Sequence, residues 1–363
     1  MDTESFLLEV LGVVEETPDA CSVQFVVPTE AEDHFTYRPG QFLTLAVPSD
    51  TTGLAARCYS LSSSPVDGGP LTVTVKRTVD GYASNWICDN LKAGDSIRVL
   101  PPSGIFSPAD LDEDLLLFAG GSGVTPIISI ARTALARGTG KIVVFYANRD
   151  ETSVIFAKEW ARLSAEHPDR LVVVHWLESV QGLPTQEQLK SFASHFATYD
   201  AFCCGPAPFM KSVSLALREL EFPRARRHQE KFVSLGGNPF GDVEELRKAE
   251  ETLADADDHE DGDGAENPLT GPVRIEVELD GENYEFDDYA GDKPILDFLE
   301  SKGVDAPFSC REGNCSACAC MVLEGEVKML HNEVLDETDL ADGIRLTCQA
   351  LPLSEKLRIT YNG

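Results

Sequence analysis

Positive charge is what this sequence has least of. Its 363 residues hold 30 Lys and Arg against 61 Asp and Glu, a formal net charge of −31. That argues against a nucleic-acid partner, because phosphate backbones are gripped through a basic footprint. Basic residues are also missing from the opening stretch MDTESFLLEVLGVVEE, where a secretory signal would carry them. Long apolar runs are absent too: "DLLLFAGGSGVTPIISI" is broken by Gly and Pro short of membrane-spanning length. The expectation is a soluble cytoplasmic protein with no membrane partner. Part of the acidity is solvated linker, since Asp242 to Glu266 holds twelve acids against Arg247 and Lys248. The remainder fits solubility or steering toward a basic partner.

Hydrophobic residues make up 42% of the chain, enough for packed cores, and the length predicts two or three domains. Residues 1–108 read as strands. "CSVQFVVP", "QFLTLAVP", "LTVTVKRT" and "SIRVLPP" are short β-branched runs split by turn residues, the pattern of an antiparallel barrel or sandwich. Residues 109–235 change rhythm. "DLLLFAG", "KIVVFYA", "RLVVVHW" and "YDAFCCG" alternate with helical patterns such as "PIISIARTALARG" and "PFMKSVSLALREL", which predicts a parallel α/β sheet. Residues 236–270 read as the acidic linker, in which "EELRKAEETL" is a marginal short helix. Residues 271–363 begin a third domain: a hairpin turning at Asp280-Gly281, then a helix ending at Gly303.

"SCREGNCSACAC", Ser309 to Cys320, holds four of the ten cysteines. In a reducing compartment such thiols are metal ligands or small buried residues rather than disulfides. Cys310, Cys315 and Cys318 stand as C-x4-C-x2-C, and Cys348 follows after 29 intervening residues. This is the plant-type [2Fe–2S] spacing. A loop that aims backbone N–H groups at sulfur needs small residues, and Gly313, Asn314, Ser316 and Ala317 supply them. Zinc ribbons usually pair two C-x2-C knuckles, and Cys348 has no second cysteine beside it, so zinc fits less well. Cys320 lies two residues beyond Cys318 on the same side of an extended strand; a small buried residue is the expectation there. Cys21, Cys58, Cys88 and Cys203 lack metal spacing and are expected to be structural.

Four further stretches carry chemistry. In "RCYSLSSSP", Arg57, Tyr59 and Ser60 could serve a phosphate, an aromatic ring and a ring heteroatom, although a plain half-buried strand would carry the same residues. "VKRTVDGYASNW" places Gly81, Ala83 and Ser84 before a helical run; free N–H groups there would bind an anion, and an ordinary cap at Ser84 is the alternative. "FAGGSGVTPIISI" follows a buried strand and gives G-x-G-x-x-P, with Thr125 and Pro126 fitting N-cap and N1. "FCCGPAPFM" is a second strand-to-helix turn in the same α/β half. Both turns fall at carboxyl ends of parallel strands, where open α/β sheets bind ligands.

The order "RCYSLSSSP", "GGSGVTP", "CCGPAPFM" resembles the ferredoxin–NADP reductase superfamily. With "DAPFSCREGNCSACACMVLEGEV" appended, the chain is similar to single-chain reductase components of multicomponent oxygenases. "RTVDGYASNW", "YANRDETSVIF" and "HWLESVQGLP" most resemble the reductases that serve 3-ketosteroid 9α-hydroxylases in steroid-degrading actinobacteria. The fold this implies is multidomain: an antiparallel β-barrel FAD domain, a parallel α/β nicotinamide domain and a C-terminal α+β plant-type ferredoxin domain of β-grasp form. The resemblance implies that Arg57, Tyr59 and Ser60 contact FAD, with Val75 and Lys76 on the neighbouring strand. Gly81, Ala83 and Ser84 match the pyrophosphate loop. Gly121, Gly123, Thr125 and Pro126 match the nicotinamide-dinucleotide loop, and Gly205 and Pro206 the turn beside the nicotinamide. Cys204 and Glu230 match the catalytic positions, and Phe232 the flavin-side segment. Cys310, Cys315, Cys318 and Cys348 match the cluster ligands. It further implies a monomer that passes electrons from NADH through FAD and [2Fe–2S] to a Rieske-type oxygenase; a reductase serving another aromatic or aliphatic oxygenase is the alternative. The residues agree on coenzyme, since Arg149 after "KIVVFYA" is followed at once by Asp150 and Glu151, a poor site for an extra 2′-phosphate.

Overall fold

The computed structural model describes residues 5–49, 53–79, 81–232, 273–279, 281–291, 293–304, 306–308, 311, 313, 318–332, 334–335 and 337–361. The expected linker and its short helix, together with Cys310 and Cys315, lie outside these. The chain divides into two compact units, one mainly Phe6–Gly53 and Arg57–Val233, the other mainly Ser234–Asn362.

The first unit opens with six strands: β1 (Phe6–Thr17), β2 (Ala20–Val26), β3 (Phe42–Ser49), β4 (Gly53–Ser60), β5 (Leu71–Lys76) and β6 (Ser96–Val99). Their order is β4-β3-β6-β1-β2-β5. The sheet closes on itself, because Leu61, just past β4, bridges Val73 of β5, and Ser62 N–H donates to the Thr72 carbonyl at 2.9 Å. Alternate residues point inward: Leu8, Val10, Val23, Phe25, Leu43, Leu45, Val47 and Val73 are all buried in one apolar core. Each such side chain stabilises the fold by about 1.5–3 kcal/mol relative to exposure. Helix α1 (Tyr82–Asn90) follows β5, and its Ala83 and Ile87 join that core.

The same unit continues into a five-stranded parallel sheet. Its strands are β7 (Leu115–Gly120), β8 (Ile142–Asn148), β9 (Leu171–Leu177), β10 (Asp200–Cys204) and β11 (Arg227–Glu230), in the order β11-β10-β7-β8-β9. β7 is buried at all six positions, as a strand covered on both faces must be. Helices α2 (Val124–Arg137) and α3 (Ala157–Glu166) share one apolar cluster with Leu115, Leu117 and Ala119. After the short α4 (Glu178–Gln181), α5 (Gln186–Ala193) and α6 (Ala207–Glu219) share the opposite cluster with Leu116 and Phe118.

The second unit is a five-stranded mixed sheet. Its strands β12 (Val273–Leu279), β13 (Glu282–Tyr289), β14 (Ala319–Glu324), β16 (Ile344–Leu346) and β18 (Lys356–Thr360) lie in the order β13-β12-β18-β14-β16, and β15 (Val327–Met329) pairs separately with β17 (Ala350–Pro352). β12 and β18 run parallel, while the other neighbouring strands of this sheet run antiparallel. The hairpin turns at Gly281, whose φ of +83° only glycine adopts freely. The helix Ile295–Ser301 buries Ile295, Leu296, Phe298 and Leu299 and closes with Gly303 at φ +77°. No helix among the described residues is long and apolar enough to cross a membrane.

Two helix starts differ from expectation. α2 begins at Val124 with Gly123 as its cap, so Thr125 and Pro126 sit inside the first turn. The cause is the 3-10 turn Gly121–Gly123, which runs into the helix with Gly123 already at helical angles (φ −60°, ψ −7°). α1 begins at Tyr82 with Gly81 as cap, so Ser84 is not the cap; its hydroxyl accepts from Thr78 N–H at 3.0 Å instead.

Candidate functional site

The strand order of the parallel sheet reverses between β7 and β10. β8 and β9 lie on one side of β7, β10 and β11 on the other. A crevice opens at such a switch point, outside the carboxyl ends of the strands. The turns after β7 and β10 meet there backbone to backbone. A Cβ on Gly123 would stand 2.2 Å from the Cys204 carbonyl oxygen, and one on Gly120 would stand 2.8 Å from Pro206 Cδ. One on Gly205 would lie 3.0 Å from Gly120 Cα. A side chain is therefore excluded by packing at Gly123 and Gly120, and would crowd the facing turn at Gly205. Gly121 takes φ +53°, and its carbonyl accepts from the Tyr146 hydroxyl at 3.3 Å. Thr125 donates to the Ser122 carbonyl at 3.0 Å. Thr125, Pro126 and Gly123 are buried and shape the turn, while Gly121, Ser122 and Gly205 are half-buried and Pro206 is exposed at its lip.

Cys204 ends β10, and Glu230 ends β11. The two are register partners, and Cys204 is also the partner of Ala119. Side chains directly opposite in a sheet share a face, so thiol and carboxyl lie on the same side. Cys204 is wholly buried, and Glu230 is 7% exposed. Burial pushes the Glu230 carboxyl up to about 8. Burial and the Glu230 charge raise the Cys204 thiol well above its ordinary range. At neutral pH both groups carry their protons.

On the barrel side, Arg57 and Tyr59 are half-buried on β4 and Ser60 is 2% exposed. Desolvation raises the Tyr59 hydroxyl, which stays protonated. Val75 is buried on β5 beside Lys76. A Cβ on Gly121 would lie 3.8 Å from Lys76 Nζ, so the barrel lysine hangs over the glycine-rich turn. Gly81 is held close: a Cβ there would meet Thr78 Cβ at 2.7 Å, and its carbonyl accepts from Asn85 Nδ2 at 2.7 Å. Ala83 and Ser84 are buried at the base of this loop. Phe232 follows β11 and is 47% exposed.

Two contacts were not anticipated from sequence. Asp19, in the β1–β2 turn, lies 3.6 Å from Lys76 and 3.7 Å from Arg149, and Arg149 Nε donates to Asp150 at 3.0 Å. The segment after β4 is also sewn to α2. Ser129 Oγ donates to the Ser63 carbonyl at 2.6 Å, Arg132 Nη1 to the Ser62 carbonyl at 3.2 Å, and the Ser64 and Thr133 hydroxyls are 2.9 Å apart. Ser129 and Thr133 interrupt the buried face of α2 at i, i+4 spacing, a signal the sequence did offer.

In the second unit Cys318 and Cys348 are 1% and 3% exposed. Thr347 ties them together, since its N–H and hydroxyl both donate to the Cys318 carbonyl, at 3.1 and 3.0 Å. Gly313 takes φ +75°, and a Cβ there would strike the His331 carbonyl oxygen at 2.7 Å. Gln349 Nε2 holds the Arg311 carbonyl at 2.7 Å. Two buried thiols beside a loop braced in this way suit an iron–sulfur centre, and Cys310 and Cys315 lie outside the described residues. Cys320 is 2% exposed, with its thiol raised by burial.

Residues 9–107 match the family described as the oxidoreductase FAD-binding domain, 117–215 the oxidoreductase NAD-binding domain, and 277–353 the 2Fe-2S iron-sulfur cluster binding domain. The chain is 50% identical over 359 residues to the ferredoxin reductase component of 3-ketosteroid-9-alpha-monooxygenase from Rhodococcus rhodochrous, covering 99% of this chain and 97% of that protein. It is 52% identical over 358 residues to the protein of that name from Mycolicibacterium smegmatis, covering 98% and 96%. The reductase of the glycine betaine monooxygenase of Chromohalobacter salexigens is 30% identical, covering 94% and 92%. Among solved structures, phthalate dioxygenase reductase aligns with TM-score 0.56 at 22% identity, covering 98% of each chain, a likeness of fold.

Proposed function

The chain belongs to the ferredoxin–NADP reductase family, in the branch that joins FAD-, NAD- and [2Fe–2S]-binding domains, and from that premise we propose that it is the reductase component of a 3-ketosteroid 9α-monooxygenase. The observation that carries this reading is identity of about half the residues, sustained over nearly the whole of both chains. Its electron acceptor is an oxygenase component, which we take to be Rieske-type, and its coenzyme is NADH.

When bound, FAD would supply two-electron hydride chemistry toward the nicotinamide and the [2Fe–2S] centre one-electron chemistry, so a two-electron donor could serve as a one-electron supply. The chain's own residues place these groups. Arg57 and the N–H groups of the first turn of α1, just after Gly81, would hold the FAD phosphates, and Tyr59 would cover the ring. Backbone of Gly121–Gly123 would hold the coenzyme diphosphate, with the Lys76 charge above it. Cys204 and Glu230 would line the place where the nicotinamide enters. Glu230, kept protonated by burial, can donate a hydrogen bond there, while the buried surroundings exclude water. Cys310, Cys315, Cys318 and Cys348 would hold the two irons as thiolates.

The test has two stages. A visible spectrum taken before and after NADH should show flavin and plant-type cluster absorbance, both bleaching. Turnover of a 3-ketosteroid with the matching oxygenase should then depend on this chain. Bleaching without steroid turnover, with activity restored by an oxygenase for aromatic or aliphatic substrates, would replace the steroid assignment.

A further inference from the structure

Cys21 and Cys88 are 67 positions apart in sequence, yet their sulfurs lie 3.0 Å apart. Cys21 is on β2 and 6% exposed; Cys88 is in the last turn of α1 and half-buried. Both are free thiols. A disulfide bond is about 2.05 Å long, so a closure of about 1 Å would join them.

The two sulfurs are chemically distinct. The Cys21 thiol donates a hydrogen bond to Cys88. That bond, aided by the nearby Arg77 guanidinium, lowers the Cys88 thiol below its ordinary range. The same bond, with burial, raises Cys21. Cys88, half-buried and lowered with help from Arg77, is the better placed of the two to ionise and attack, and buried Cys21 the better placed to keep its proton. Cys203, by contrast, is fully buried and raised by desolvation, which leaves it inert.

The pair also sits against the proposed flavin site. Cys21 is the register partner of Val75, and Cys88 Sγ is 3.8 Å from the Val75 carbonyl. Tyr59 and Cys88 pack on the same apolar cluster. Cys88 belongs to the helix whose first turn follows Gly81.

We propose that Cys21 and Cys88 are a reversible redox dithiol, oxidised by hydrogen peroxide to an intramolecular disulfide that clamps α1 onto β2. In the first step the Cys88 thiolate attacks one peroxide oxygen. An S–O bond forms, the O–O bond breaks, and the departing hydroxide takes a proton to become water. Cys88 is now a sulfenic acid, oxidised by two electrons. In the second step the Cys21 sulfur attacks Cys88. The S–S bond forms, the S–O bond breaks, and the hydroxyl leaves as water with the Cys21 proton. Two thiols and one peroxide thus give one disulfide and two waters. Hydrogen peroxide is the two-electron reduction product of dioxygen, so an oxygen-using electron-transfer system meets it whenever electrons escape. The chemistry of the pair is independent of the proposed function; its effect on flavin retention rests on that reading.

The full-length holoprotein is treated with a few equivalents of hydrogen peroxide, alkylated, digested without reductant and analysed by mass spectrometry. A Cys21–Cys88 linked peptide should appear and vanish with dithiothreitol. Cys88→Ser should give no link, and Cys21→Ser should leave a sulfenic acid at Cys88 that dimedone traps. In guanidinium, FAD should leave the oxidised protein several-fold more slowly than the reduced one, and Cys21→Ser should show no slowing. Absence of the linked peptide in the native protein, a link to Cys58 instead, or dimedone trapping at Cys21 would overturn the dithiol. A linked protein that releases FAD at the reduced rate would overturn the clamp.

Discussion

Glu230 stands directly beside Cys204, register partner to register partner, at the carboxyl ends of two adjacent parallel strands. The placement keeps a carboxyl group protonated at neutral pH next to a thiol raised well above its ordinary range. A polar pair of this kind, neutral and buried, can orient a ligand through hydrogen bonds without carrying charge into the crevice.

The first prediction concerns pH. Glu230 titrates near 8 in the folded chain and near 4.5 when exposed. The folded state then binds the extra proton between those values. Stability from this group is full below about pH 4.5 and falls as pH rises through about 8. Glu230→Gln should flatten that fall, so its melting temperature should drop less than the native protein's between pH 6 and pH 9. Hydride transfer, followed by stopped flow, should decline above about pH 8 in the native protein and stay level in Glu230→Gln. Glu230→Ala should be roughly tenfold slower, the cost of a lost buried hydrogen bond.

Gly123→Ala should fail by collision. Its new Cβ would sit 2.2 Å from a backbone oxygen that cannot swing away. Urea unfolding should show a loss of about 1–3 kcal/mol, and the KM for NADH should rise. Gly69→Ala meets nothing within 4 Å and should stay within about 0.5 kcal/mol of the native protein.

Replacing Cys310, Cys315, Cys318 or Cys348 by Ser should abolish or badly perturb the [2Fe–2S] electron paramagnetic resonance signal of the reduced protein while FAD stays bound. Cys320→Ser should keep the signal. A full signal from Cys348→Ser would remove that residue from the ligand set.

NADH should exceed NADPH in kcat/KM for dye reduction. Arg149 directly follows β8, and Asp150 and Asp19 both pair with it. A 2′-phosphate would have to compete with two carboxylates. Asp150→Asn combined with Asp19→Asn should raise the NADPH-to-NADH ratio several-fold. An unchanged ratio would show that Arg149 does not see the coenzyme.

Sequence reasoning located the parallel strands because β7, β8 and β10 are unbroken apolar runs, which need no partner to be recognised. The barrel's central strand was harder. β1 carries register shifts between Val10 and Gly12 and between Glu15 and Thr17, and a bulge breaks the alternation by which a strand is read. Thr125 and Pro126 were misplaced by two positions because a 3-10 turn, frequent at α-helix termini, runs straight into this helix. Asp19 could not have been found at all, since its neighbours Lys76 and Arg149 come from distant parts of the chain. Cys21 and Cys88 looked like two unrelated small residues for the same reason.

The stitching of Ser62, Ser63 and Ser64 to Ser129, Arg132 and Thr133 bears on how such reductases can be recombined. A chimera joined near residue 108 would put a foreign helix opposite these serines, leaving buried hydroxyls and carbonyls mismatched across the seam. Exchange should succeed only when residues 6–232 travel as one cassette. Crossovers that leave residues 6–232 intact keep every one of these contacts.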